Sequence, residues 1–234
     1  MLILKGWNRR MKNKIILGLL LIFFSLSLST PAQAALGNVL LKVGSTGADV
    51  VELQTKLNDV GFNVGKVDGI FGSITKQGVI NFQQAHSLVG DGIVGPLTVK
   101  SLNEAYLVKQ RQNKVDSIIA TAKQYIGVQY LWGGTSPQTG FDCSGYVQYV
   151  FAQNGISLPR VSRDQYTVGT QVAFEDLQPG DLVFFSFTGD GVVGHDGIYL
   201  GDGQFINASS SKGVTVYVIG PYWKSVYVGA RRVF

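Results

Sequence analysis

The sequence predicts two folded parts, a small all-α domain followed by a larger α+β domain. Residues 38–104 carry three helix patterns separated by glycine-containing turns. From residue 117 onward, helix patterns come first and strand patterns follow without alternation. That order points to α+β and away from a doubly wound sheet. Between the two parts lies the polar, glycine-poor stretch "YLVKQRQNKVDS". Residues 105–116 are read from it as a linker that runs into a helix.

The first helix is "GADVVELQTKLNDVG", with Val50, Leu53, Leu57 and Val60 at helical spacing and Gly61 as a stop. The second, "SITKQGVINFQQAHSL", starts at a capping Ser73 and turns Ile74, Phe82 and Ala85 toward a core. The third, "GPLTVKSLNEA", has Pro96 in its first turn. Matched turns precede the second and third helices: Asp68-Gly69-Ile70-Phe71-Gly72 and Asp91-Gly92-Ile93-Val94-Gly95. Two copies of D-G-I-x-G point to a small internal duplication. Glycine supplies the backbone angles, and aspartate bonds nearby amides. Asp68 and His86 invite a metal reading, but one histidine without a clustered partner argues against zinc.

In the second part, "SIIATAKQYI" (117–126) is an amphipathic helix, and "GVQYLWGGTSPQTGF" is a Gly-rich loop. "DCSGYVQYVFAQNG" reads as a helix with Cys143, Val147, Val150 and Phe151 on one face, closed by Asn154-Gly155. Then "DLVFFSF", "HDGIYLG", "QFINAS", "GVTVYVI" and "YVGARRVF" read as strands of a largely antiparallel sheet.

Export decides which chemistry is open to this chain. Lys5, Arg9, Arg10, Lys12 and Lys14 precede the 14-residue apolar run Ile15–Leu28, and Ala32-Gln33-Ala34 follows. This is the layout of a signal peptide over residues 1–34, with cleavage before Ala35. The run is shorter than the ~20 residues of a spanning helix, so no stable membrane anchor is expected after cleavage. Those five cations account for the whole formal charge of +5, and the rest of the chain is balanced. A nucleic-acid partner needs a basic face, and that class is set aside. No metal or other cofactor is implied, and a monomer is expected.

Cys143 is the chain's single cysteine. At a helix N-terminus, unpaired amides and the dipole favour an anion, so the thiol there is expected to ionise more easily. Nucleophilic attack also needs a base and a group that orients it. His195 opens "HDGIYLG", and Asn207 lies in the next strand pattern, "QFINAS". If the strands pair, the Asn207 carbonyl accepts the Nδ1 proton and Nε2 is left for the sulfur. A buried lone cysteine is otherwise an inert hydrophobe.

Two resemblances extend these readings. Residues 38–104 resemble the peptidoglycan-binding type 1 family through "VGSTGADVVELQTKLNDVGF", "VDGIFGSITKQGVINFQQ" and "GDGIVGPLTVKSL". That implies a three-helix bundle that docks on cell-wall polymer. Residues 117–234 resemble the NlpC family of cell-wall cysteine peptidases, with a papain-like core. The matching stretches are "GVQYLWGGTSPQTGFDCSGYVQYVF", "LPRVSRDQY", "LQPGDLVFF" and "GHDGIYLGDGQFINAS". This implies a secreted peptidoglycan hydrolase that cleaves stem peptides, typically at the bond from γ-D-glutamate to a diamino acid. By position the resemblance makes Cys143 the nucleophile, His195 the base and Asn207 the third residue. Tyr130 joins the Cys143 amide in stabilising the oxyanion. Asp142 and Ser144 match positions that in some members hold the stem peptide's free amine; helix capping is their other reading.

Two positions depart from the family pattern. The third residue is often His and is Asn207 here, which still orients an imidazole in Cys-His-Asn sites. Position 196 is commonly apolar and is Asp here; on a strand it faces away from His195. Two other functions stay open: a wall-binding protein with an inactive peptidase domain, and an amidase or acyltransferase using the same thiol.

Overall fold

The computed structural model describes Leu36 and residues 39–234. The predicted signal segment, residues 1–34, lies outside the described residues. Helix α1 (Ala48–Asp59), α2 (Ser73–Ala85) and the first turns of α3 (Pro96–Lys123) enclose one apolar core. Val50, Leu53, Leu57, Val79, Phe82, Val99 and Leu102 are buried in it, and Val60 packs at its edge. Ile74 and Ala85 do not join them: both are exposed, and Val79 takes the inward place. Ser73 is the first helical residue rather than the cap; Gly72 occupies the cap and makes no side-chain bond.

The duplicated turns are each held by a buried glutamine from the preceding helix. Gln54 Nε2 donates to Asp68 Oδ1, the Ile70 carbonyl and Thr75 Oγ1, and its Oε1 accepts from the Gly69 amide. Gln83 repeats the pattern with Asp91, Ile93, Thr98 and Gly92. Each aspartate also accepts the amide two residues on, Ile70 and Ile93. These bonds hold both carboxyls below the ordinary carboxylate range, led by Gln54 at Asp68 and by the Ile93 amide at Asp91. Gly69 and Gly92 both sit at φ +72°, where a side chain is strained.

α3 is one 28-residue helix, about 42 Å long at 1.5 Å per residue. Residues 105–116, expected as a linker, are helical throughout. The reason is local: no Gly or Pro interrupts residues 97–126, and Gln112 bonds Asp116 one turn on. The helix serves two cores. Val99 and Leu102 belong to the first, and Ile118 and Ala122 to the second.

The second core is formed by α4 (Cys143–Gln153) and one face of a six-stranded antiparallel sheet. Before α4, β1 (Thr135–Ser136) and β2 (Gly140–Phe141) form a short ribbon. After it come α5 (Ser162–Gln165) and β3 (Thr170–Val172), which the sequence patterns do not single out. The strands that follow are β4 (Leu182–Phe185), β5 (His195–Gly201), β6 (Gln204–Ser209), β7 (Gly213–Val218) and, beyond the short α6 (Pro221–Ser225), β8 (Tyr227–Arg232). Their order across the sheet is β3-β8-β4-β5-β6-β7. Leu182, Phe184, Ile198, Ile206 and Ala208 face α4; Val183, Phe185 and Phe205 face the other side, with Trp223 of α6. Among the described residues, no helix is long and apolar enough to cross a membrane.

Gln83→Leu is expected to lower the urea midpoint of unfolding by the equivalent of about 1–3 kcal/mol, because it strands buried amide and carbonyl groups. A midpoint equal to that of the native chain contradicts the bracing role.

Candidate active site

The site is built on the first turn of α4. Asp142 is the N-cap, and its Oδ1 accepts from the Gly145 amide at 2.7 Å. Its Oδ2 accepts from the Gly133 amide at 2.9 Å, which ties the Gly-rich loop to the helix. Arg160 grips both oxygens, Nη1 to Oδ1 at 3.0 Å and Nη2 to Oδ2 at 2.7 Å. The same Nη1 donates to Ser144 Oγ at 3.0 Å. Asp142 and Ser144 are therefore already engaged, as a cap and with a cation. The Asp142 hydrogen bond is also the largest reason the Arg160 guanidinium stays above its ordinary value. Arg160 lies in "LPRVSRDQY", where no local pattern assigns it a role. The loop and helix approach closely: a Cβ on Gly145 would lie 2.1 Å from the Gly134 carbonyl oxygen.

Cys143 is the first residue of α4 and is unpaired. Its thiol is not easier to ionise, contrary to the expectation from helix position. Burial pushes it strongly up, and the charges of Asp196 and Asp142 add to that. The Ser144 amide pulls the other way, as a helix N-terminus should, but is outweighed. Tyr130 is half-buried next to this group, with its hydroxyl raised first by burial and then by the Cys143 and Asp142 charges.

His195 opens β5 on the opposite face of the sheet from Phe184, paired with Phe185. The ring is buried and stacks against Trp223, with centroids 5.7 Å apart and 25° between planes. Trp223 is a neighbour that the sequence patterns did not reveal. His195 Nε2 lies 3.1 Å from Asn207 Oδ1. The pairing expected between these strands is present, but through the other ring nitrogen. The register explains this. Ile198 stands opposite Ile206, so Asn207 is level with Gly197, diagonal to His195. Diagonal pairs are separated by roughly 7–8 Å, which the distal Nε2 spans and Nδ1 does not. Nδ1 is thus the nitrogen left free of Asn207. Among the described residues, no hydrogen bond joins the ring to the thiol.

Burial pushes the His195 ring down to about 4, partly offset by Asn207. The ring is neutral at neutral pH, the state a base requires. Asp196 points the other way, toward α4, and is fully buried against the Cys143 thiol. Burial pushes its carboxyl up to about 7, against the opposing pull of the thiol.

Residues 127–232 match the family model "NlpC/P60 family", and residues 46–102 match "Putative peptidoglycan binding domain". The "Gamma-DL-glutamyl hydrolase" of Bacillus subtilis is 43% identical over 130 residues, 54% of this chain and 32% of that protein. The "Probable endopeptidase p60" of Listeria seeligeri is 49% identical over 116 residues, 50% of this chain and 22% of that protein. The chain therefore spans a third or less of the length of these relatives. In a solved structure, the NlpC/p60 domain of the peptidoglycan hydrolase SagA is 34% identical, with a TM-score of 0.45, over 51% of this chain and 98% of that one. A cysteine at the head of a helix packed on an antiparallel sheet is consistent with a cysteine-peptidase class of fold. Residues 127–232 belong to the NlpC/P60 family, with a peptidoglycan-binding type 1 domain, residues 46–102, ahead of them.

Two predictions follow from this geometry. A Cβ on Gly197 would lie 2.7 Å from the Ile206 carbonyl oxygen and 3.1 Å from Asn207 Cβ. Gly197→Ala is expected to cost about 1–3 kcal/mol of stability; unchanged thermal unfolding contradicts this. For Asp196 the folded protein keeps its proton up to about pH 7, whereas the ordinary value is 3.8. That stabilisation is complete below 3.8 and is lost as pH rises through 7. Asp196→Asn is therefore expected to raise the Tm at about pH 8 and to leave it nearly unchanged at about pH 3. Equal shifts at both pH values contradict a buried, raised carboxyl.

Proposed function

We propose that this protein is an exported peptidoglycan endopeptidase that cleaves stem peptides between γ-D-glutamate and a diamino acid. The first domain holds the chain on wall polymer and the second cuts. The observation that carries the reading is the His195–Asn207 pair, 3.1 Å between Nε2 and Oδ1, in a domain whose only cysteine starts α4. The names of the relatives, a γ-DL-glutamyl hydrolase and an endopeptidase, support hydrolysis of a peptide at a γ-linked glutamyl residue. The signal-like residues 1–34 and the peptidoglycan-binding domain support action outside the cytoplasm.

In the proposed reaction the Cys143 thiolate attacks the scissile carbonyl, and Tyr130 with the Cys143 amide holds the developing oxyanion. Asn207 fixes the imidazole by accepting from Nε2–H, and the free Nδ1 takes the proton released as the sulfur attacks and passes it to the leaving amine. The thioester then takes a water activated by the same nitrogen. Asp142, Ser144 and Arg160 lie beside the nucleophile, where a stem peptide's amine and carboxylate would meet fixed charges.

One observation favours the rival reading of an inactive wall binder: the buried thiol resists ionisation. Cys143→Ala separates the two. It is expected to abolish muropeptide cleavage while pull-down on purified cell walls persists. Cleavage at the native rate by that variant would falsify the reading. Asn207→Ala is expected to lower kcat by about 10–100-fold. If Asp196→Ala costs more activity than Asn207→Ala, the orienting residue is misassigned.

A further inference from the structure

The proposed acyl transfer leaves one buried group beside the nucleophile without a task. Strand alternation sends His195 to one face of β5 and Asp196 to the other, opposite Phe184 and toward α4. There the Asp196 carboxyl is wholly buried, and neither oxygen has a well-formed hydrogen bond among the described residues. Among titratable groups, the one whose ionisation is most strongly linked to it is the Cys143 thiol at the head of α4. The other charged groups that face it are Asp142, at the cap of α4, and Arg160, from the segment before α5. Arg160 is already gripped by Asp142 in a two-pronged pair. Tyr130 adds only an un-ionised phenol near the thiol. On this face β4 and β6 contribute Phe184, Ile206 and Ala208, none of which titrates.

A carboxylate without partners in such a place is costly, so the site favours the protonated acid. Two adjoining acids in a dry site do not ionise independently. We propose that Cys143 and Asp196 share one proton, and that Asp196 thereby sets the pH range in which the thiol can act. The inference rests on Cys143 being the nucleophile. With both protons present the site is uncharged. Loss of one leaves a single negative charge, either as S–H facing O⁻ or as S⁻ facing H–O. Passing between these forms breaks one S–H bond and makes one O–H bond, and no electrons are transferred. Only the second form attacks, and in it the Asp196 acid donates to the thiolate. Loss of both protons puts two anions in contact, which burial opposes. At rest His195 holds no share of this proton, because burial keeps the ring uncharged down to about 4. The position of Asp196, pushed up to about 7, puts the first loss close to neutrality.

The test is the rate at which iodoacetamide alkylates Cys143 across pH, read by mass spectrometry on the full chain. Cys143 is the only cysteine, so the label reports it alone. Asp196→Asn keeps the shape and a hydrogen-bond donor but removes the charge. It is expected to alkylate at least about tenfold faster than the native chain near pH 8, with its profile moved down by about one pH unit or more. Asp196→Val, which removes charge and donor together, is expected to move the profile the same way but less. A merely structural Asp196 would alter stability and leave these profiles superimposed. Superimposed profiles overturn the proposal, and either variant alone suffices to find that. Digestion of peptidoglycan by the native chain is scored in parallel. Shifted profiles without cleavage uphold the shared proton and reject the peptidase reading. Cleavage with superimposed profiles does the reverse.

Discussion

One carboxylate, Asp142, joins three segments that the chain keeps apart. It caps α4 through the Gly145 amide, holds the Gly-rich loop through the Gly133 amide, and binds Arg160 from beyond the helix. Each bond has an ionised partner, and such bonds are roughly twice as strong as neutral ones. Because Cys143 is the next residue, every one of these bonds also positions the sulfur. The close approach of Gly134 to Gly145 has the same origin: a loop drawn onto the first turn leaves no room for a side chain.

The period of a β-strand sets the electrostatics. Consecutive residues of β5 point to opposite faces, so the sheet separates an imidazole from a carboxyl that are neighbours in sequence. His195 enters an aromatic environment with Trp223 and bonds Asn207. Asp196 enters the apolar face under α4 and meets the thiol. Burial drives the two in opposite directions, the ring down to about 4 and the carboxyl up to about 7. Both are consequently uncharged at mildly acidic pH, where proton traffic around Cys143 meets no fixed charge closer than Asp142 and Arg160.

What was legible in the sequence is what depends on local pattern. The D-G-I-x-G repeats, the five long strands and the capped helix at Cys143 all announce themselves by spacing. The resemblance supplied Tyr130, Asp142 and Ser144; in the structure Asp142 and Ser144 flank Cys143 and bind Arg160, and Tyr130 is near enough to feel the charge of the thiol. What was illegible depends on partners distant along the chain. Gln54 and Gln83 carry no signal of their role, because nothing local says that a turn will come to satisfy them. Residues 105–116 read as a linker because they are polar, yet polarity does not stop a helix when Gly and Pro are absent. The ring nitrogen that meets Asn207 follows from a diagonal register, which sequence does not give. The ease of ionising Cys143 was misjudged for a related reason: helix position is local, whereas the burial and the Asp196 carboxyl that oppose it come from the sheet.

The central claim is that a thiol at the head of α4 cuts a peptide stem, and the fragments decide it. Purified peptidoglycan digested with the full chain and analysed by mass spectrometry should release the part of the stem beyond γ-D-glutamate, leaving a shortened stem on the sugar. Release of the entire stem peptide from the sugar, or no new fragment at all, contradicts the account.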